Sequence, residues 1–253
     1  MGGLFLFVPW LVRLALDDLV TAAKLPGTRM IPAAHAVRAA LALKLTSTER
    51  RSHVMDLVFD EGLALWTGLN VLPKTTFLSQ YSGRLGPRRL ATLLEGWVRT
   101  LRGHQALPGH SFNLDFHSIP YFGADEFVEK HYVSRRSRRQ KSVLVFLAQD
   151  ADTRVLCYCD ADLRKGEEAE QVLAFVRFWT RQTGQPPPHL VFDSQLTTYR
   201  KLAALTAQGI TFITLRRRTP KLLREMALHP RSAWRTVELD VPQRLYRTPK
   251  VID

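Results

Sequence analysis

A chain of 253 residues is long enough for one large domain or two modest ones, and an apolar fraction of 45% excludes wholesale disorder. A formal net charge of +13 and an isoelectric point near 10.3 point to a polyanionic partner, with nucleic acid ahead of an anionic membrane surface. The alternative is a protein that is merely basic and soluble. Cys157 and Cys159 lie two apart on one presumed strand. That spacing suits neither a disulfide nor a zinc site, so two reduced core thiols of a cytosolic protein are expected.

The N-terminal run "MGGLFLFVPWLVRLALDDLV" is interrupted by Pro9, Arg13, Asp17 and Asp18. It falls well short of the roughly 20 apolar residues that a membrane-spanning helix needs. It also lacks the marks of a cleaved leader, so a packed amphipathic helix is expected. Residues from about 10 to 103 read as helical. The clearest helix is "RRLATLLEGWVRTLRG", where Leu90, Leu93, Leu94, Trp97 and Leu101 form one stripe and Gly103 stands as the stop. Arg88, Arg99 and Arg102 project opposite that stripe. The preceding "KTTFLSQYSGRL" has the length and glycine turn of a helix-turn-helix unit, whose second helix would meet DNA. The competing reading is a bundle helix with a solvated basic face. Trp97 and Trp179 sit on apolar stripes and read as core.

The connector "RGHQALPGHSF" suggests a boundary near residue 108, dividing a helical region, 1–108, from a second domain, 109–253. Beyond it strands and helices alternate. "FNLDFHSIPY" alternates Phe112, Leu114 and Phe116 with Asn113, Asp115 and His117, the pattern of a strand with one apolar face. Asp115 is then a carboxylate in mid-strand, where Asp is disfavoured unless it is solvated or neutralised. "KSVLVFLAQDA" and "TRVLCYCDADL" read as strands joined by an Asp-Ala-Asp-Thr turn. "KGEEAEQVLAFVRFWTRQTG" reads as a helix with Val172, Leu173, Val176 and Trp179 inward. "PHLVFD" is a buried strand ending in Asp193, followed by a helix, "TTYRKLAALTAQG", and a strand, "ITFITLRRR".

This α+β order, a strand with Asp, a hairpin, a helix, a strand ending in Asp, a helix and a strand, is that of an RNase H-like core. Hard Mg²⁺ or Mn²⁺ prefers oxygen donors, and two such ions roughly 4 Å apart assist in-line phosphoryl displacement. A metal would explain why Asp115 is tolerated. His117, on the same polar face, could orient a ligand, although a strand His is more often structural. The basic run "RRSRRQKS", holding Arg135, Arg136, Arg138, Arg139 and Lys141, fits contact with backbone phosphates, as does the "LRRR" run. Asp160 and Asp162 close the third strand and are weaker site candidates.

"LDFHSIPYFG", "VFDSQLTTY", "GITFITLRRR" and "DEGLALWTGLNVLPKTTFLSQYSGRL" together resemble insertion-sequence transposases of the DDE type, over nearly the whole chain. The resemblance implies metal-dependent DNA cleavage and strand transfer on element ends and target DNA. It implies Asp115 and Asp193 as the first two carboxylates, and a bacterial, cytoplasmic, nucleoid-associated protein that could work as a homodimer on DNA, without a membrane role. The third acid of that family lies on a helix after a β-rich insertion. "SAWRTVELDVPQRLYRTPKVID" resembles the start of that insertion and the sequence ends within it, so the expectation is a truncated fragment with little or no strand-transfer activity. Glu225 precedes the presumed insertion and is a poor substitute for that acid. The reading of a different class is a DNA-binding protein without catalysis, using the helical region and the basic loops.

Overall fold

The computed structural model describes residues 1–48, 51–124, 128–133, 136–161, 163–164, 166–193, 198–216, 219–235 and 251–252. They fall into two compact units, Met1–Ile213 and Thr214–Asp253.

The first unit opens with short helices. Where one amphipathic helix was expected, a 3-10 turn, Gly2–Phe7, leads into α1 (Val8–Arg13) and α2 (Leu16–Ala22). The break is at Ala15, which takes a left-handed φ of 49°. Alanine gains nothing from that conformation, so the packing on either side must hold it there. α3 (Ala33–Leu45) turns Ala36, Ala39, Ala42 and Leu43 inward. α4 (Glu61–Thr67) starts at Asp60, whose carboxylate accepts the Leu63 N–H at 2.7 Å and so caps the first turn. α5 (Thr75–Arg84) and α6 (Pro87–Gly103) are joined by Leu85 and Gly86.

α6 packs differently from its simple projection. Gly96, Val98 and Leu101 are buried, whereas Leu90 is 43% exposed. Gly96 lets α2 approach closely, because a Cβ there would stand 2.9 Å from the Leu19 side chain. The helix does run through Gly103, but the left-handed turn that follows is made by Gln105 at φ 57°.

The sheet is mixed and six-stranded. β1 (Ser111–Pro120) lies at its centre. β3 (Arg138–Asp150) pairs antiparallel with it from Phe112↔Asp150 to Pro120↔Ser142. On its other side β5 (His189–Phe192) pairs parallel, from Ser111↔His189 to Leu114↔Phe192. β4 (Leu156–Asp160) flanks β3 and β6 (Thr211–Thr214) flanks β5, giving the order β4-β3-β1-β5-β6. β2 (Lys130–Val133) pairs with the opening residues of β3. α7 (Glu168–Thr183) and α8 (Tyr199–Ala207) connect β4 to β5 and β5 to β6. The fold is therefore α+β, and β1, β3, β4, α7, β5, α8 and β6 follow in the order read from the sequence, with β2 inserted between β1 and β3.

One face of this sheet makes the main core. Phe112, Leu114, Phe146 and Ala148 from the strands meet Val98 and Leu101 of α6, Val172, Phe175, Val176 and Trp179 of α7, and Leu205 of α8. The Phe112 ring meets Trp179 at 4.5 Å and Phe175 at 5.1 Å, both edge-on. Each fully buried side chain of this size contributes roughly 1.5–3 kcal/mol. Because side chains alternate along a strand, burying Phe112 and Leu114 turns Asn113, Asp115 and His117 to the opposite face.

Two details correct the expected core. Cys157 is buried, with its thiol 3.4 Å from the Ala148 carbonyl, but Cys159 is exposed on an edge strand. Asp150, at the end of β3, is fully buried. Its carboxylate accepts the N–H groups of Gly109 (2.8 Å), Thr153 (2.9 Å) and Asp152 (3.1 Å) and the Thr153 hydroxyl (3.0 Å). It thereby ties the connector that leads into β1 to the β3–β4 turn.

The second unit contains α9 (Pro220–Leu228), capped by the Thr219 hydroxyl, which accepts the Leu222 N–H at 3.2 Å. It also contains a short antiparallel pair, β7 (Trp234–Arg235) with β8 (Val251–Ile252).

Candidate active site

The two sequence-predicted carboxylates come from the central strand and its parallel neighbour. The last paired rung between them is Leu114↔Phe192; Asp115 follows it on β1, and Asp193 is the residue just past the end of β5. Parallel neighbours in register point the same way, and strands lie roughly 4.8 Å apart. Leu114 points into the core, so Asp115 on β1 points out of it; Asp115 and Asp193 are both exposed. They are 78 residues apart in the chain, from 115 to 193. Asp115 Oδ1 accepts the N–H of Phe116 at 2.8 Å, which folds the carboxylate back along its own strand.

His117 is exposed on the same face two residues further along β1, roughly 7 Å from Asp115. Asp160 lies opposite Phe146 in the β3–β4 register, on the core side of the sheet rather than in the row of Asp115. Glu225 sits on α9 in the second unit, 3.9 Å from Lys221 one turn away. Asp162, Arg135, Arg217 and Arg218 lie outside the described residues.

Two hard carboxylates on one face fit a divalent ion that keeps open positions for other oxygen donors. Among the described residues, no group of three or more His, Cys, Asp and Glu side chains is arranged to hold a metal.

The cations divide into two sets. On α6, the Arg102 guanidinium stacks 5.1 Å above the Trp179 ring, and Arg99 donates to Gln182 at 3.4 Å. Both bind α6 to α7, a structural task, while Arg88 is exposed near the start of the helix. On β3, Arg138 and Arg139 are exposed and Lys141 is half-buried; just before the strand, Arg136 stacks 5.5 Å over Phe122. Lys141 is six residues along β3 from Leu147, the partner of Asp115, or about 20 Å. Sequence reasoning missed Asp150, whose signal was the Asp-Ala-Asp-Thr turn, and also missed the whole of β2.

No family model matches the chain, and no curated protein matches it in sequence. Among solved structures it is similar to the piggyBac transposase in a synaptic complex with hairpin DNA, determined by cryo-EM. The TM-score is 0.41 and the identity 11%, over 88% of this chain. The chain spans about half of that structure's length, 52%. No helix among the described residues is long and apolar enough to cross a membrane.

Proposed function

We propose that the chain carries the paired carboxylates of a divalent-metal phosphoryl-transfer site acting on DNA, in the manner of a DDE-type transposase. The observation that supports this reading is that Asp115 on β1 and Asp193, one residue past β5, each follow the last rung of the parallel pair, Leu114↔Phe192. The β1 backbone holds Asp115 rigidly, and Asp193 is anchored one residue from the end of β5. Mg²⁺ or Mn²⁺ held there would supply charge neutralisation at a phosphodiester. Asp115 and Asp193 would provide the oxygen ligands, and His117, on the same face of β1, would orient a ligand or a substrate phosphate. Arg136, Arg138, Arg139 and Lys141 supply positive charge at a distance that one duplex can span. The reading draws also on the sequence motifs and the charge of +13.

The test has two parts. Calorimetry with Mn²⁺ should detect weak binding that either Asp115→Asn or Asp193→Asn removes. In a supercoiled-plasmid assay with Mg²⁺ or Mn²⁺ any nicking should be weak, as expected of a fragment, and Asp115→Asn should abolish it. Mn²⁺ affinity unchanged in both variants would overturn the assignment. DNA binding with neither Mn²⁺ binding nor nicking would favour the DNA-binding protein without catalysis.

A further inference from the structure

The break between α1 and α2 borders a cavity of about 270 Å³ in the first unit. Val8 and Leu11 of α1, Leu16 of α2 and Trp66 of α4 give it apolar walls, and the left-handed Ala15 is part of its lining. Non-glycine residues held in that conformation cluster where ligands are clamped. Three charged residues complete the lining: Asp17 and Asp18 of α2 and Arg38 of α3. Small-molecule sites are apolar clefts of roughly 300–1,000 Å³ with a few polar groups placed among them. This cavity has that composition and lies just below that range, so it suits a molecule built on a single ring or a short branched chain.

The polar groups here are incompletely paired. The Asp17 carboxylate accepts from the Arg38 guanidinium through Oδ2, but Asp17 Oδ1, Arg38 Nε and the Trp66 indole N–H have no hydrogen-bond partner. Among the described residues seven buried side-chain atoms lack a partner, and three of them belong to this lining. Folded proteins pair nearly all such atoms, so their gathering at one cavity is a mark of ligand binding. The atoms are covered in the free chain, but the Arg38 and Asp17 side chains are 26% and 48% exposed and can turn toward an occupant. Charge selects that occupant. Asp17 and Arg38 offset each other, while Asp18 is exposed and makes no ion pair among the described residues. Arg13, the cation of α1, is not in the lining and is held 5.6 Å over the Trp10 ring. Two carboxylates against one guanidinium leave one negative charge in excess, in a chain whose net charge is +13. Acids in the first turn of α2 also suit the helix dipole, which accounts for their sign but not for the apolar cavity beside them.

We propose that this cavity binds a small organic cation, an ammonium group carried on an aromatic or branched aliphatic body. The body packs among Val8, Leu11, Leu16 and Trp66, and the ammonium meets Asp18 and the unpaired oxygen of Asp17. Trp is also the side chain whose ring attracts cations most strongly. An anion is repelled by the excess carboxylate, so nucleic acid is not the occupant. The inference depends neither on the metal site nor on the reading of the chain as a DNA-processing protein.

The test is calorimetric titration of the full chain at pH 7 and low salt, in EDTA, with two probes of similar shape and opposite charge, phenethylammonium and 3-phenylpropionate. Phenethylammonium should bind one site with a Kd of roughly 1 mM or tighter, and 3-phenylpropionate at least about tenfold more weakly. Asp18→Asn should weaken phenethylammonium about fivefold. Val12 lines the cavity yet is 74% exposed, so a charge can be placed there without disturbing the core. Val12→Glu should tighten phenethylammonium binding about threefold and Val12→Arg should weaken it by about as much, with melting midpoints within about 2 °C of wild type. Glu168→Gln, which removes one negative charge from α7, should leave the Kd unchanged. Opposite effects of the two Val12 variants would tie binding to this cavity and not to the net charge of the chain. Equal affinity for the two probes, the same Kd in Val12→Glu and Val12→Arg, or no binding of phenethylammonium up to about 20 mM would each overturn the site.

Discussion

Replacing Asp150 by alanine should destabilise the first unit more than most single substitutions. The carboxylate is fully buried and accepts four hydrogen bonds. Gly109 is buried too, so in the variant its N–H loses an ionised acceptor at 2.8 Å and finds no water. That loss costs about 1.5–3 kcal/mol. The Asp152 and Thr153 donors sit in an exposed turn and can rehydrate, at about 0.5–1 kcal/mol each. The ladder bond from the Asp150 N–H to the Val155 carbonyl, 2.9 Å, survives. The expected total is about 3–6 kcal/mol. With a urea dependence near 3 kcal/mol per molar for a chain of this size, the unfolding midpoint should drop by roughly 1–2 M. Asp150→Asn keeps the shape but sets an amide N–H against a donor, and should lose about half as much. A midpoint drop below about 0.3 M for Asp150→Ala, with an unchanged slope, would refute the claim that this carboxylate holds the connector to the hairpin.

Three further outcomes follow from local geometry. Gly109→Ala should cost at least about 2 kcal/mol in the same assay, because φ is +77° and the new Cβ would lie 2.3 Å from the Trp179 ring; a wild-type midpoint would contradict this. Burial, with the Asp150 charge adding to it, pushes the Cys157 thiol up to about 12, and burial followed by the nearby Asp160 raises Cys159 less far. A thiol reagent should therefore label Cys159 alone in the native protein, faster as pH rises, and labelling of native Cys159→Ala protein at a comparable rate would sink the idea. The terminal ammonium of Met1, at 2.9 Å, and the Leu63 N–H hold the Asp60 carboxyl below its ordinary value. Because the folded value is the lower one, the stabilisation is complete above about pH 4 and is lost as pH falls through the folded value. The stability gap between wild type and Asp60→Ala, about 1 kcal/mol at pH 6 from loss of the cap, should close on acidification, and a gap that stayed constant down to pH 2 would contradict the linkage.

The strand order was legible because alternation at Phe112, Leu114 and Phe116 and the apolar run before Asp193 are signals that burial writes directly into sequence. The neighbouring positions of Asp115 and Asp193 follow once β1 and β5 are paired, since each aspartate is one residue beyond a buried apolar one. What was not legible depends on tertiary partners. Leu90 fits the helical stripe of α6 yet is 43% exposed, and Val98, off that stripe, is fully buried because α6 is wedged among several elements rather than laid on one. Arg99 and Arg102 read as a free basic face, because a sequence does not show that Trp179 and Gln182 of α7 will lie beneath them. β2 escaped because four residues with a single buried side chain leave almost no periodic trace.

The pairing of β1 with β5 also sets when the site can exist. The hairpin of β3 and β4 closes over a few residues, and β1 reaches β3 across a modest loop. β5 must return to β1 over a separation of 78 residues, from 115 to 193, and add a parallel strand with α7 already placed over the core. Loop closure of that length is entropically costly, and parallel pairing gives its reward late. The two carboxylates therefore become neighbours near the end of folding. Before that step each is an ordinary solvated aspartate; under the proposed function, a partly folded chain would carry its positive charge before its carboxylates are gathered. On that proposal, association with DNA would precede the assembly of the carboxylate pair along the folding route of a single chain.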